Sequence, residues 1–109
     1  MSFKHYVLLG QTPVEEPDVL KWAEWFGNLE NRVVFQTEIP GGMVSTVFLG
    51  LDHQFGKGPP LLFETMLFRD GESNDCERCS TWLEAEAQHA KMLFKLIEVN
   101  HVRPDSFHG

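Results

Sequence analysis

The stretch from residue 32 to residue 68, RVVFQTEIPGGMVSTVFLGLDHQFGKGPPLLFETMLF, decides the fold. It holds three runs rich in β-branched and aromatic residues, at 32–39, 43–51 and 61–68, and such runs are typical of strands. A Pro-Gly-Gly turn separates the first two runs, and a loop rich in Gly and Pro separates the second from the third. Because the connections are short, the three strands are predicted to form an antiparallel meander.

The sequence before this stretch predicts a further strand and a helix. Residues 3–9 form a mostly apolar run that ends at Gly10 and is typical of a strand. A helix is predicted to begin at Pro17, because proline suits the first turn of a helix, where its missing N–H is not needed. Gly27 is a plausible end for this helix.

The sequence after the meander predicts a polar loop and a long second helix. The segment from Asp70 to Asp75 is polar and is predicted to be a loop. Thr81 and Glu84 then have the spacing of a capping box, which marks the start of a helix. One face of this helix is predicted to be the buried one and carries Ala85, His89, Met92, Leu93 and Leu96.

The predicted order β-α-β-β-β-α indicates an α+β fold with a four-stranded, mostly antiparallel sheet and two helices on one face. Alternation in the last predicted strand turns Leu61, Phe63 and Leu67 toward the helices. Residues 1–100 are predicted to form a single α+β domain. The tail 101–109 is predicted to fray, as chain ends commonly do.

Composition and charge exclude several classes of function. The chain has 109 residues and a formal net charge of -7, which disfavours direct binding of nucleic acid or of an anionic membrane. It shows neither the apolar run of a signal peptide nor the ~18 apolar residues of a membrane span. Two cysteines three positions apart do not form a disulfide framework. We therefore expect a reducing, cytoplasmic setting.

Cys76 and Cys79 form a CxxC motif that stands alone in the chain. A structural zinc site needs four ligands, and no second pair of ligands has the required spacing. A redox pair of the thioredoxin type would follow a strand and open a helix, where the first thiol has a lowered pKa. A lone CxxC favours two incidental thiols, with a metal site or a redox pair as weaker alternatives. No bound cofactor is expected.

Asp52, His53, Glu64 and His89 are the residues from which a small hydrolase or metal-dependent enzyme could be built. A carboxylate beside an imidazole can perform general acid–base chemistry. Adjacent residues of an extended chain point to opposite faces, however, so we favour turn chemistry, in which Asp52 accepts backbone N–H groups. His89 lies on the apolar stripe of the last helix, where a histidine is more often half-buried and held by one hydrogen-bond partner.

The sheet face away from the helices is predicted to expose acidic and apolar side chains together. The alternation that turns Phe63 inward places Glu64 and Met66 on this outer face. A mixed patch of this kind suits a protein interface better than a catalytic pocket. With the loop 52–60, the predicted interface comprises Gln36, Glu38, Phe48, Asp52, His53, Glu64 and Met66.

Three segments together resemble short proteins of unknown function encoded by bacteriophages and prophages: 44–53 (VSTVFLGLDH), 60–66 (PLLFETM) and 80–89 (STWLEAEAQH). The likeness covers most of residues 5–92. It implies a small acidic phage accessory protein, located in the cytoplasm of the host cell. Such a protein is expected to bind a host or phage protein, including a host defence protein whose nucleic-acid channel is basic. The alternatives are the enzyme described above and a homodimeric structural accessory protein.

Overall fold

A computed structural model describes residues 4–54 and 56–101, with side chains as far as residue 98. The predicted α+β fold class is confirmed. The elements are β1 (Tyr6–Leu9), β2 (Thr12–Glu15), α1 (Val19–Phe26), a 3-10 turn (Leu29–Asn31), β3 (Val33–Ile39), β4 (Gly42–Phe48), β5 (Phe63–Arg69), β6 (Glu72–Cys79) and α2 (Trp82–His101). The helix α2 thus extends to the first residue of the predicted tail, and residues 102–109 lie outside the described residues.

The central sheet is antiparallel throughout, with the strand order β3-β4-β5-β6. Two-residue turns close its outer hairpins: Pro40-Gly41 joins β3 to β4, and Asp70-Gly71 joins β5 to β6. The φ angles of Asp70 and Gly71 are 53° and 80°, as the tight turn of a right-twisted hairpin requires. The segment that was predicted to be a polar loop is therefore mostly strand β6.

The strand predicted at 3–9 does not join this sheet. As β1, it pairs with β2 in a separate two-stranded antiparallel ribbon, in which Leu9 lies opposite Thr12. The ribbon is joined to the chain after β4 by the Tyr6 N–H, which donates to the Gly50 carbonyl at 2.8 Å. The fourth strand of the sheet is therefore β6 and not the first strand of the chain.

The helix α2 lies across one face of the sheet and forms the core with it. The predicted capping box is confirmed, since the Glu84 N–H donates to Thr81 Oγ1 and the Thr81 N–H donates to Glu84 Oε1, each at 3.1 Å. The predicted apolar stripe is confirmed as well, with Leu93 at its half-buried margin. It packs on the inward side chains of β4 and β5, which are Val44, Thr46, Phe48, Phe63, Thr65 and Leu67.

The helix α1 lies at one end of the same face. Asp18 caps its N-terminus, accepting from the N–H groups of Leu20 at 3.0 Å and Lys21 at 3.3 Å. Trp25 packs edge-on against Phe48, whose side chain points to the α2 side, with the ring centroids 5.8 Å apart. Both helices therefore contact one face of the sheet, as predicted. No helix among the described residues is long and apolar enough to cross a membrane.

Candidate functional site

The sheet face opposite α2 is the candidate site, and we call it the open face. Its members follow from the strand register, in which Ser45, Met66 and Cys76 form one row across three strands and Val47, Glu64 and Arg78 form the next. Neither helix packs on this face. The open face comprises Gln36, Glu38, Met43, Ser45, Val47, Glu64, Met66, Phe68, Cys76 and Arg78.

The centre of the open face is apolar. Met43, Val47, Met66 and Phe68 are half-buried on this face. Met43 lies opposite Phe68 across the β4–β5 pair, at the end of the sheet that carries the two tight turns. These four residues form an apolar strip, which gives the face the composition of the centre of a protein interface.

A shallow hollow lies at the turn end of the open face. Its volume is about 470 Å³, and Met43 and Phe68 line it. The carboxylates of Glu38 and Asp70 stand at its rim. Apolar walls with two exposed carboxylates suit a side chain that is both apolar and cationic, such as an arginine or a lysine, whose stem contacts apolar surface while its charge stays outside.

Glu64, a predicted interface residue, lies on the open face with a partner of its own. Its Oε2 accepts from Arg78 Nε at 2.9 Å across the β5–β6 pair. The thiol of Cys76 is the next neighbour, and burial together with the Glu64 carboxylate raises the pKa of Cys76. The charge of Glu64 is therefore balanced within the domain. The unbalanced negative charge of this surface comes from Glu38 and Asp70.

The prediction for Phe48 is wrong, because this side chain lies on the helix side and is fully buried. Its ring packs against Phe63 at a centroid distance of 5.2 Å. Residues 43–51 are apolar in both alternating sets, so the sequence did not show which set faces the helices. Phe68 supplies the aromatic ring of the open face, although the predicted interface did not include this residue.

Gln36, Glu38 and Met66 lie on the open face, as predicted. Gln36 and Glu38 are exposed on β3. Gln36 Nε2 donates to Ser45 Oγ at 3.5 Å across the β3–β4 pair. Met66 occupies the centre of the sheet between β4 and β6.

Asp52 and His53 lie at the other end of the sheet, in the connection between β4 and β5. Asp52 Oδ1 accepts from the N–H groups of Gln54 at 2.8 Å and Leu61 at 3.0 Å. This is the predicted turn chemistry, and it confirms that interpretation of Asp52. The backbone N–H of His53 donates to the Leu61 carbonyl at 3.1 Å. Both residues are half-buried, and neither lines the hollow at the turn end.

His89 is buried between α2 and the sheet, where it joins three threonines in a chain of hydrogen bonds. Its Nε2 lies 2.9 Å from Thr37 Oγ1, and its Nδ1 lies 2.8 Å from Thr46 Oγ1. Thr46 Oγ1 is in turn 2.8 Å from Thr65 Oγ1. Burial lowers the pKa of His89, which favours the neutral ring. Two partners hold the ring, where a single partner was expected.

The four residues of the alternative enzyme hypothesis do not converge. His89 lies on the helix side of the sheet, Glu64 lies on the open face, and the backbone of the sheet separates them. The Asp52 carboxylate is occupied by two backbone N–H groups in a turn. General acid–base catalysis needs groups within hydrogen-bond reach of one substrate atom, and this arrangement does not provide them.

The CxxC motif lies in strand β6, which separates its two thiols. An odd spacing places side chains on opposite faces of a strand, so Cys76 is exposed on the open face while Cys79 is buried under α2. Burial, followed by the charge of Glu84, raises the pKa of Cys79 to about 11. One metal ion or one disulfide is not shared by thiols on opposite faces. Among the side chains that the structure describes, which end at residue 98, no group of three or more His, Cys, Asp or Glu could hold a metal ion.

The chain matched no family model, no curated protein and no solved structure. Its resemblance to phage-encoded proteins stays a prediction from the sequence. Function is therefore inferred from the side chains of the described residues.

Proposed function

We propose that the domain is a non-enzymatic binding module whose open face docks a host or phage protein with a basic surface. The observation that carries this proposal is the apolar strip of Met43, Val47, Met66 and Phe68 on a sheet face that neither helix covers. The polar groups best suited to chemistry are occupied elsewhere, in the core or in a turn. The open face is thus the surface with the composition of an interface.

The side chains of the strip suit recognition of a protein. Methionine adapts to irregular surfaces because it is unbranched and polarisable, and the face carries Met66 at its centre and Met43 near its turn end. Phe68 offers an aromatic anchor beside the hollow, and interface anchors of this kind commonly carry much of the binding energy. The carboxylates of Glu38 and Asp70 form a polar rim at one end.

The charge of the domain favours a basic partner. The formal net charge is -7, and the rim of the hollow adds two exposed carboxylates at the site itself. Complementary charge speeds encounter and selects among partners. A nucleic-acid channel of a host defence protein has this chemistry, and the resemblance to phage-encoded proteins supports such a partner. The domain then acts by occupying the channel.

The test begins with capture from a bacterial lysate at low salt, followed by titration of the purified captured protein against variants of the domain. Phe68→Ser and Met66→Ser remove the apolar contacts, and each should weaken binding by about tenfold or more, as truncation of interface anchors does. Leu20→Ser is the matched control, because Leu20 is 78% exposed on α1 and lies off the open face. Equal binding by all three variants contradicts the proposal.

A second set of variants tests the charge of the rim. Glu38→Gln with Asp70→Asn removes two carboxylates, and asparagine keeps the positive φ that this turn needs. Affinity should fall at low salt, and its dependence on salt concentration should become shallower. A salt dependence identical to that of the unaltered domain would show that the rim does not contact a basic surface.

A further inference from the structure

The solvent side of α2 carries an apolar stripe that the core does not use. We call it the outer stripe, and it consists of Leu83, Ala87, Ala90, Phe94 and Ile97. Leu83 and Phe94 are 74% and 68% exposed, and Ile97 is 41% exposed. The successive spacings are four, three, four and three residues, which is the spacing of a helix–helix seam. In the part of the chain that the structure describes, no element covers Leu83 or Phe94.

We propose that the outer stripe joins two copies of this chain, packed through antiparallel α2 helices. The first four residues of the stripe match themselves when reversed, because the pair Leu83 and Phe94 has the same midpoint as the pair Ala87 and Ala90. A two-fold axis at this midpoint therefore places Leu83 of each copy opposite the partner's Phe94. The same axis places Ala87 opposite the partner's Ala90. Self-complementarity of this kind is what a two-fold homodimer requires.

Side-chain size fits the same arrangement. The two alanines at the centre allow the helix axes to approach closely, since the axial distance depends on the side chains at the contact. The larger Leu83 and Phe94 then fill the space on either side of the alanine pair. Ile97 lies beyond these four residues and has no apolar counterpart in the helix of the other copy, because position 80 precedes α2.

Charge favours the antiparallel direction over the parallel one. The first half of α2 carries Glu84 and Glu86, and the second half carries Lys91, Lys95 and Glu98, so the two halves have net charges of opposite sign. Antiparallel packing brings the acidic half of one helix beside the basic half of its partner, whereas parallel packing brings like charges together. The lysines already pair with β6, Lys91 with Glu77 at 2.8 Å and Lys95 with Asp75. Both lysine side chains stay more than half exposed, so their ammonium groups can take a second carboxylate.

The size of the seam sets the expected strength of the dimer. From Leu83 to Phe94 the matched part of the stripe spans about 16 Å of helix, at about 1.5 Å per residue. An interface of about three helical turns lies at the small end of specific interfaces, so we expect reversible association. The open face lies on the other side of the sheet and stays free in such a dimer. Dimerisation and partner binding are therefore separable by experiment.

Sedimentation equilibrium of the full chain tests the proposal. From about 1 μM to about 1 mM, the range in which weak complexes form, the mass should rise from one chain toward two. One chain is 12.5 kDa. Ala90→Glu and Phe94→Glu should weaken association at least tenfold, whereas Leu20→Glu should leave it unchanged, because Leu20 is 78% exposed on α1 and lies off the stripe. Circular dichroism confirms that each variant is folded. A monomer at every concentration, or a dimer that tolerates both α2 variants, overturns the proposal.

Disulfide trapping tests the direction of packing. In a Cys76→Ser background, which removes the exposed thiol, Leu83→Cys and Phe94→Cys are made as separate chains. Oxidation of the two chains mixed should give a crosslinked dimer, and oxidation of either chain alone should give much less. Rapid crosslinking of Leu83→Cys alone indicates parallel helices and contradicts the antiparallel dimer.

Discussion

Replacing Thr46 by valine should destabilise the domain more than its small change in shape suggests. Thr46 is fully buried in β4, and its Oγ1 contacts both His89 Nδ1 and Thr65 Oγ1 at 2.8 Å. Valine keeps the branched shape but has no hydroxyl. The substitution therefore leaves two buried polar atoms without the partner they have in the native core.

The magnitude follows from this count. Each hydrogen bond contributes about 1 kcal/mol net, and a buried polar atom left without a partner costs about 1–3 kcal/mol. We expect Thr46→Val to lower the free energy of unfolding by about 2–6 kcal/mol, a large share of the ~5–15 kcal/mol typical of a domain. Thr37→Val removes the other partner of His89, but Thr37 lies on the half-buried edge strand β3, where water can replace its hydroxyl. Its cost should stay below about 1.5 kcal/mol.

Urea denaturation of the purified domain and its variants measures the free energy of unfolding, and therefore the loss caused by Thr46→Val and by Thr37→Val. Thr46→Ser is the control, because serine keeps the hydroxyl and loses only a methyl group, at a cost of about 1 kcal/mol. Thr46→Val should be the most destabilising of the three variants, and Thr46→Ser and Thr37→Val should each cost less. If Thr46→Val costs no more than Thr46→Ser, the hydrogen-bond chain through His89 does not stabilise this core.

Four further outcomes are expected. The free energy of unfolding should decrease as the pH falls below about 6.5, the unfolded-state pKa of histidine. Burial lowers the folded-state pKa of His89, so the unfolded chain takes up the proton more readily, and His89→Gln should remove this part of the decrease in urea titrations at several pH values. Phe48→Ala should cost about 3–5 kcal/mol in the same assay, because the ring is fully buried. Asp52→Ala should cost about 1–2 kcal/mol, since two backbone N–H groups lose their acceptor. In the folded protein a thiol reagent should label Cys76, whereas Cys79 should react only after unfolding, and labelling of both at similar rates would contradict the burial of Cys79.

The meander and the last helix were predictable because their signals are local. The turn at Pro40-Gly41 and the capping box of Thr81 and Glu84 lie where the sequence predicts them. The alternation that turns Phe63 inward also placed Glu64 correctly on the open face. These features need only a few neighbouring residues, so a single sequence shows them.

The strand β6 was missed because its side chains do not alternate between apolar and polar. On its inner side Asp75 and Glu77 pair with lysines of α2, so carboxylates stand where an apolar set was expected. The Asp70-Gly71 pair does carry the sequence signal of a two-residue hairpin turn. The polar residues around this pair favoured a loop over a strand. The strand is explained only by the lysines of α2, which pair with its inward carboxylates.

The outer stripe of α2 shows a second feature that the sequence alone does not assign, namely which side of a helix faces the core. The spacing of Leu83, Ala87, Ala90, Phe94 and Ile97 is present in the sequence, yet so is the spacing of the buried stripe. A helix with two apolar stripes does not show which of them faces the core. The contacts of α2 with the sheet assign the core stripe, and the other stripe is thereby left for a partner.

Site-specific photo-crosslinking tests most directly the central claim that the open face is the binding surface. A photo-reactive amino acid replaces Gln36, which is exposed on the open face, or Glu24, which is exposed on α1. After irradiation in a bacterial lysate, position 36 should crosslink to a basic protein, and position 24 should not crosslink to that protein. Crosslinking of the same protein from position 24 and not from position 36 would place the binding surface elsewhere and contradict the claim.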